Sequence, residues 1–81
     1  MYYVYLLKDA QGRNYIGSTN NLQRRLAEHA QGQTQTTRHM DKPELVYYEA
    51  YNNEALARVR EQKLKAYGSA LQALKKRLAI A

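Results

Sequence analysis

Apolar residues first gather at Tyr2–Leu7, an aromatic and aliphatic run that predicts a strand. Lys8 to Arg13 is polar, with Gly12 late in it, and reads as a turn. Asn14–Gly17 starts a second short strand, so the two predict a hairpin. Ser18-Thr19-Asn20-Asn21 offers several N-caps for a helix over Leu22–Gln31, and Gly32 stops it. Gln33–Pro43 is rich in Thr and Gln, shows no apolar period and predicts a loop. Leu45–Tyr51 predicts a third strand. Asn52-Asn53 can cap a second helix over Glu54–Ala66, and Tyr67-Gly68-Ser69 interrupts it. Ser69 then caps a last helix over Ala70–Ala79, with Leu71, Leu74 and Leu78 on one face. The order β-β-α-β-α-α predicts an α+β fold, a small three-stranded antiparallel sheet flanked by helices.

The chain has 81 residues, which predicts a single domain over 1–81. A chain this short buries only about 60% of the surface its unfolded form exposes, so the core is thin. There is no cysteine, which excludes disulfides and thiolate zinc sites and favours a reducing, cytoplasmic compartment. No apolar run approaches the ~20 residues that span a membrane, and Met1–Leu7 lacks the basic leader of a signal peptide. The net charge is +6, which points to a polyanionic partner, nucleic acid before anionic membrane. The charge is concentrated in residues 58–81, where seven Lys and Arg face Glu61 alone. All eight aromatic residues are Tyr, so ring burial brings hydroxyls that need partners.

The first predicted helix carries an anomaly. At 100° per residue, Leu22, Arg25, Leu26 and His29 share one stripe, with Arg24 and Glu28 opposite. An Arg on an apolar stripe either packs its stem and keeps its head in water or pairs with an anion, a carboxylate or a ligand phosphate. On pattern alone, His29 reads as a core histidine with one hydrogen bond.

These residues carry a resemblance to the GIY-YIG nuclease superfamily, most closely its small stand-alone bacterial members. Tyr3-Val4-Tyr5 stands where that family has Gly-Ile-Tyr. Tyr15-Ile16-Gly17 is its second motif intact, and Arg25 and His29 match its helical Arg and His. Leu45-Val46-Tyr47-Tyr48-Glu49 resembles its third strand, and Arg60–Lys65 resembles the segment with its metal-binding Glu, here Glu61. Two positions depart: Tyr3 replaces the first-motif Gly, and the family's late Asn has no evident counterpart.

The resemblance implies an endonuclease that hydrolyses phosphodiester bonds in DNA. It assigns Mg²⁺, or Mn²⁺, to Glu61, phosphate clamping to Arg25, and handling of the attacking water to Tyr5 and Tyr15. His29 would hold a tyrosine hydroxyl or shuttle a proton. Arg38, His39, Lys63 and Lys65 are expected as substrate contacts. From the residues alone, His39 reads as a solvated loop histidine, and Glu61 reads as a helix ion pair with Lys65. The chain shows no appended DNA-binding domain, so low sequence specificity is expected, with single-stranded or branched DNA favoured and a role in repair or recombination. A protein partner that supplies specificity is a further expectation. Two other readings compete: a non-catalytic nucleic-acid-binding module on the same fold, and a metal-free ribonuclease using His29 and His39 as an acid–base pair.

Overall fold

The structure is a computed structural model that describes residues 1–32, 39–66 and 68–79. Its elements run β1 (Tyr2–Lys8), β2 (Asn14–Thr19), α1 (Leu22–Ala30), β3 (Glu44–Tyr51), α2 (Glu54–Ala66) and α3 (Gly68–Arg77). The strands form one antiparallel sheet in the order β2-β1-β3. The predicted α+β order is therefore the observed one.

The strand in the middle is the one with the longest apolar run. Val4, Tyr5, Leu6 and Leu7 are all buried, as a strand covered on both faces requires. Pleating sends Val4 and Leu6 to one face, where they meet Ile16, Ala57, Leu64 and Leu74 in the core under α2 and α3. Tyr3, Tyr5 and Leu7 point to the other face, toward α1. The third strand slips register between Leu6 and Leu7, so Leu6 faces Tyr47 and Leu7 faces Leu45.

Two boundaries move against expectation, each for a physical reason. Strand β2 continues through Ser18 and Thr19, because β1 offers Val4 and Tyr3 as pairing partners there. Helix α3 begins at Gly68, so Ser69 lies inside its first turn and not at its cap. It ends at Arg77, and Ala79 closes it in the left-handed region at φ 56°. Helix α1 is capped as the sequence suggests: the Asn21 side chain accepts from the Arg24 N–H at 3.0 Å. It gives way to Gly32 at φ 70°.

Two carboxylates, Asp9 buried and Glu49 half-buried, fix the frame. Asp9 accepts from the backbone N–H groups of Gln11, Arg13 and Asp41 and from the Arg13 guanidinium, all within 2.8–3.1 Å. Burial alone would raise its pKa, but these bonds outweigh it and hold the carboxyl down at about 2. The hairpin turn is thereby tied to the segment leading into β3. On the opposite side, Glu49 accepts from the Tyr47 and Tyr51 hydroxyls at 2.6 and 2.5 Å and from Arg60 at 3.0 Å. Burial works against the Glu49 carboxylate, yet the bonds from Arg60 and the two tyrosines leave its pKa below the usual value. This bridge pins α2 to β3 and sets the rotation of α2 that presents the next residue, Glu61, to β2.

Candidate active site

The stripe on α1 lands on the tyrosine face of the sheet. His29 is 3% exposed, and its Nε2 lies 2.7 Å from the Tyr5 hydroxyl. The His29 ring also meets Tyr5 and Tyr15 edge-on, with centroids 5.6 and 5.2 Å apart. Tyr5 and Tyr15 themselves are 6.2 Å apart. Their closeness follows from β1–β2 pairing, which sets Tyr5 opposite Gly17 and Leu7 opposite Tyr15.

Gly17 is needed for contact reasons. A Cβ there would lie 2.5 Å from the Tyr5 hydroxyl oxygen, 2.7 Å from its Cζ and 3.0 Å from a Tyr15 ring carbon. Tyr5 lies across the space that a side chain would fill. Gly17→Ala is therefore expected to displace Tyr5 and destabilise the fold by about 1–3 kcal/mol. Gly68→Ala, with open space around its Cβ, should lose nothing. Denaturant midpoints of the two variants check this, and equal midpoints would remove the packing argument.

Arg25 sits where the helical wheel placed it and pairs with a carboxylate. Its Nη1 bonds Glu28 at 2.9 Å, and its charge lies close enough to the Tyr5 hydroxyl to favour the ionised phenol. The sequence reading set Glu28 opposite the stripe, but at the (i, i+3) spacing it is a neighbour of Arg25 on the helix surface and pairs with it. Arg25 keeps a third of its side chain exposed, so the guanidinium can still take an anion from solvent.

The electrostatics of the triad are consistent. Burial pushes the Tyr5 hydroxyl up to about 12, partly offset by Arg25 and reinforced by the charges of Tyr15 and Glu61. Burial, followed by the neighbouring Arg25 charge, moves His29 below the usual histidine value. At neutral pH the pair is thus a protonated phenol beside a neutral imidazole. In the tautomer that carries its proton on Nδ1, the neutral His29 ring accepts the Tyr5 proton at Nε2.

Glu61 comes from α2, on the opposite face of the sheet, and reaches the same neighbourhood at edge strand β2. Its Oε1 accepts from the Ser18 hydroxyl at 2.7 Å, and its Oε2 pairs with Lys65 at 2.9 Å. The helix pair with Lys65 is the one the spacing suggested, and Lys65 is half exposed. Ser18 was not singled out in the sequence beyond its capping potential. The available signal was strand alternation, which puts it on the Ile16 face, toward α2.

A polar cleft of about 310 Å³ opens where the two faces meet at the end of β2. Arg24 and Arg25 line it from α1, Ser18, Thr19 and Asn20 from β2 and its exit, and Glu54 and Arg58 from α2. Arg24 and Arg58 hold their carboxylate partners only loosely, at 3.9 and 3.5 Å. The cleft is shaped and charged for an anion.

The remaining expected contacts fall elsewhere. His39 is exposed, and its backbone carbonyl accepts from Arg13 at the hairpin turn at 3.1 Å. Lys63 is exposed on α2. Arg38 lies outside the described residues. No described helix is long and apolar enough to cross a membrane. Among the described residues no three His, Cys, Asp or Glu side chains gather as a metal cage. A lone carboxylate with polar neighbours still fits Mg²⁺, which keeps most of its waters and takes one or two carboxylates plus substrate phosphate. Glu61 meets that requirement, since Lys65 can swing off Oε2 into solvent.

Sheet order, the Tyr-Ile-Gly strand and the Arg–His helix define a GIY-YIG catalytic domain. Residues 1–77 match that family, and the chain belongs to it. Among its relatives are UPF0213 proteins of Natronomonas pharaonis, 38% identical over 85% of this chain and 82% of the relative, and of Clostridium perfringens, 39% identical over 80% and 71%. The solution NMR structure of a UPF0213 protein from Bacillus halodurans superposes with a TM-score of 0.57 at 31% identity, covering 93% of this chain and 86% of that one.

Proposed function

We propose that this protein is an endonuclease that hydrolyses phosphodiester bonds in DNA with the help of a divalent metal ion, choosing its substrate by structure or single-strandedness and with little regard to sequence. The observation that carries this reading is the meeting of Arg25 and Ser18, which holds Glu61, at one cleft beside the Tyr5–His29 pair. The family match supports a nuclease-type reaction.

The scissile phosphate would enter the arginine-lined cleft. Arg25 is the fork that grips it and offsets the charge that grows on its oxygens during attack. Glu61 would hold Mg²⁺ or Mn²⁺, which when bound supplies charge neutralisation and a more acidic water. Ser18 fixes the Glu61 carboxylate in place. The Tyr5 oxygen can accept a proton from an attacking water as its own proton passes to neutral His29. Tyr15, packed on the His29 ring, keeps that imidazole in line. Lys63, Lys65, Arg38 and His39 serve as contacts to the nucleic-acid backbone.

The test incubates the protein with labelled single-stranded, duplex and branched DNA and with RNA, in Mg²⁺ or in EDTA. Cleavage in Mg²⁺ that EDTA abolishes is the expected result. Cleavage that EDTA leaves intact would overturn the metal assignment. Salt-sensitive binding with no cleavage of any substrate would overturn the enzyme in favour of a binding module.

A further inference from the structure

A second groove lies on the tyrosine face of the sheet, separate from the arginine-lined cleft but sharing Asn20 with it. It measures about 430 Å³ and is more apolar. Leu22 and Leu26 of α1 form one wall, Tyr3 and Tyr48 the other, and Asn21 and Gln23 supply amides at the rim. The Tyr3 and Tyr48 rings meet edge to face, with centroids 6.1 Å apart and planes at 63°. Tyr48 is 52% exposed, an unusual state for a ring on a sheet face in so small a protein. Its neighbours along β3 show what a structural tyrosine does here: Tyr47 and Tyr51 both bind Glu49 on the opposite face.

We infer that this groove is a stacking site for one unpaired nucleobase, in the strand whose phosphate occupies the arginine-lined cleft. Three observations converge. The cleft next door carries Arg24, Arg25 and Arg58, so an anionic backbone is drawn to the shared rim at Asn20. The groove itself contains no charged side chain, which suits the uncharged, flat part of a nucleotide. Every base has a π face, so a Tyr48 platform selects for unstacked, accessible bases and not for sequence. A base stacked and paired inside a duplex has no free face to offer Tyr48. The site therefore biases the protein toward single strands, flaps and ends, an inference that rests on the nucleic-acid reading above and sharpens it.

The test measures binding in EDTA, where no cleavage is expected, to a short single-stranded DNA and to its duplex. Tyr48→Ala should weaken single-strand binding by about 5- to 100-fold, the range that base–aromatic stacking supplies, and leave duplex binding unchanged. Tyr48→Phe, which keeps the ring, should stay within about twofold of the parent. An abasic scan against the unaltered protein gives an independent reading free of folding effects. Removing one base should cost as much as Tyr48→Ala, and the same abasic strand should then show no further loss with Tyr48→Ala. Equal loss on single strand and duplex, no loss, or a flat abasic scan would each overturn the stacking site while leaving the nuclease intact. A change in sedimenting mass with Tyr48→Ala would assign the groove to self-association instead. Failure of the unaltered protein to bind any nucleic acid would overturn both readings.

Discussion

Glu61→Gln is expected to lower phosphodiester cleavage in Mg²⁺ by about 10²- to 10³-fold or more, the scale of losing one charge-stabilising group in an active site. Binding of the same DNA should change less than about threefold. The substitution is chosen to isolate charge. Glutamine keeps the shape of the side chain, and its carbonyl oxygen can still accept from Ser18, which holds Oε1 at 2.7 Å in the parent. What disappears is the anionic oxygen pair that a hard cation requires. The ion pair with Lys65 disappears too, but Lys65 is half exposed and the pair is worth only a few tenths of a kcal/mol on a helix surface. Stability should therefore hold, and single-turnover rates beside a thermal melt separate the two effects. Equal cleavage by Glu61→Gln and the parent would reduce Glu61 to a surface ion-pair partner.

Arg25→Ala should cost about 10²-fold in rate, with a smaller loss of affinity. The argument rests on what Arg25 already has. Glu28 uses part of its fork, and a third of the side chain remains open where it lines the cleft. Removing it takes away the charge proposed to face the phosphate and the positive charge that favours ionisation of Tyr5. Arg25→Lys should recover only part of the rate, because an ammonium cannot serve Glu28 and a phosphate together as a planar fork does. Glu28→Gln is the control for a merely structural pairing, and its rate should stay within about threefold of the parent. A rate for Arg25→Ala as high as that control would leave Arg25 as an edge residue with its stem packed.

The fold was largely readable because its signals are local. The β-favouring run at Tyr2–Leu7 reads as a strand, and the Leu22–His29 stripe reads as a helix with one side turned inward. The family motifs then tied the two together. The site was readable only in part, since its closing contacts join distant segments. Nothing near Ser18 indicates that it will hold Glu61, 43 residues away. The Arg25–Glu28 pair escaped the reading because sorting α1 into two opposite faces hides that residues three apart are neighbours. The beginning of α3 differs by two residues, because Ser69 is a good cap in isolation yet lies inside the first turn here. The groove at Tyr3 and Tyr48 depends on how far α1 stands from β3, which no spacing within either element encodes.

Strand β1 gives alternate residues to two tasks: Val4 and Leu6 to the core, Tyr5 to the candidate chemistry. A slip of one residue would exchange them, putting a phenol into the core and an aliphatic chain beside His29. Chemical competence and folded state thus share one register. A chain that has not finished folding, or has begun to come apart, has no assembled site with which to cut. For a protein that would attack nucleic acid, this is a safeguard against stray damage that needs neither an inhibitor nor a propeptide.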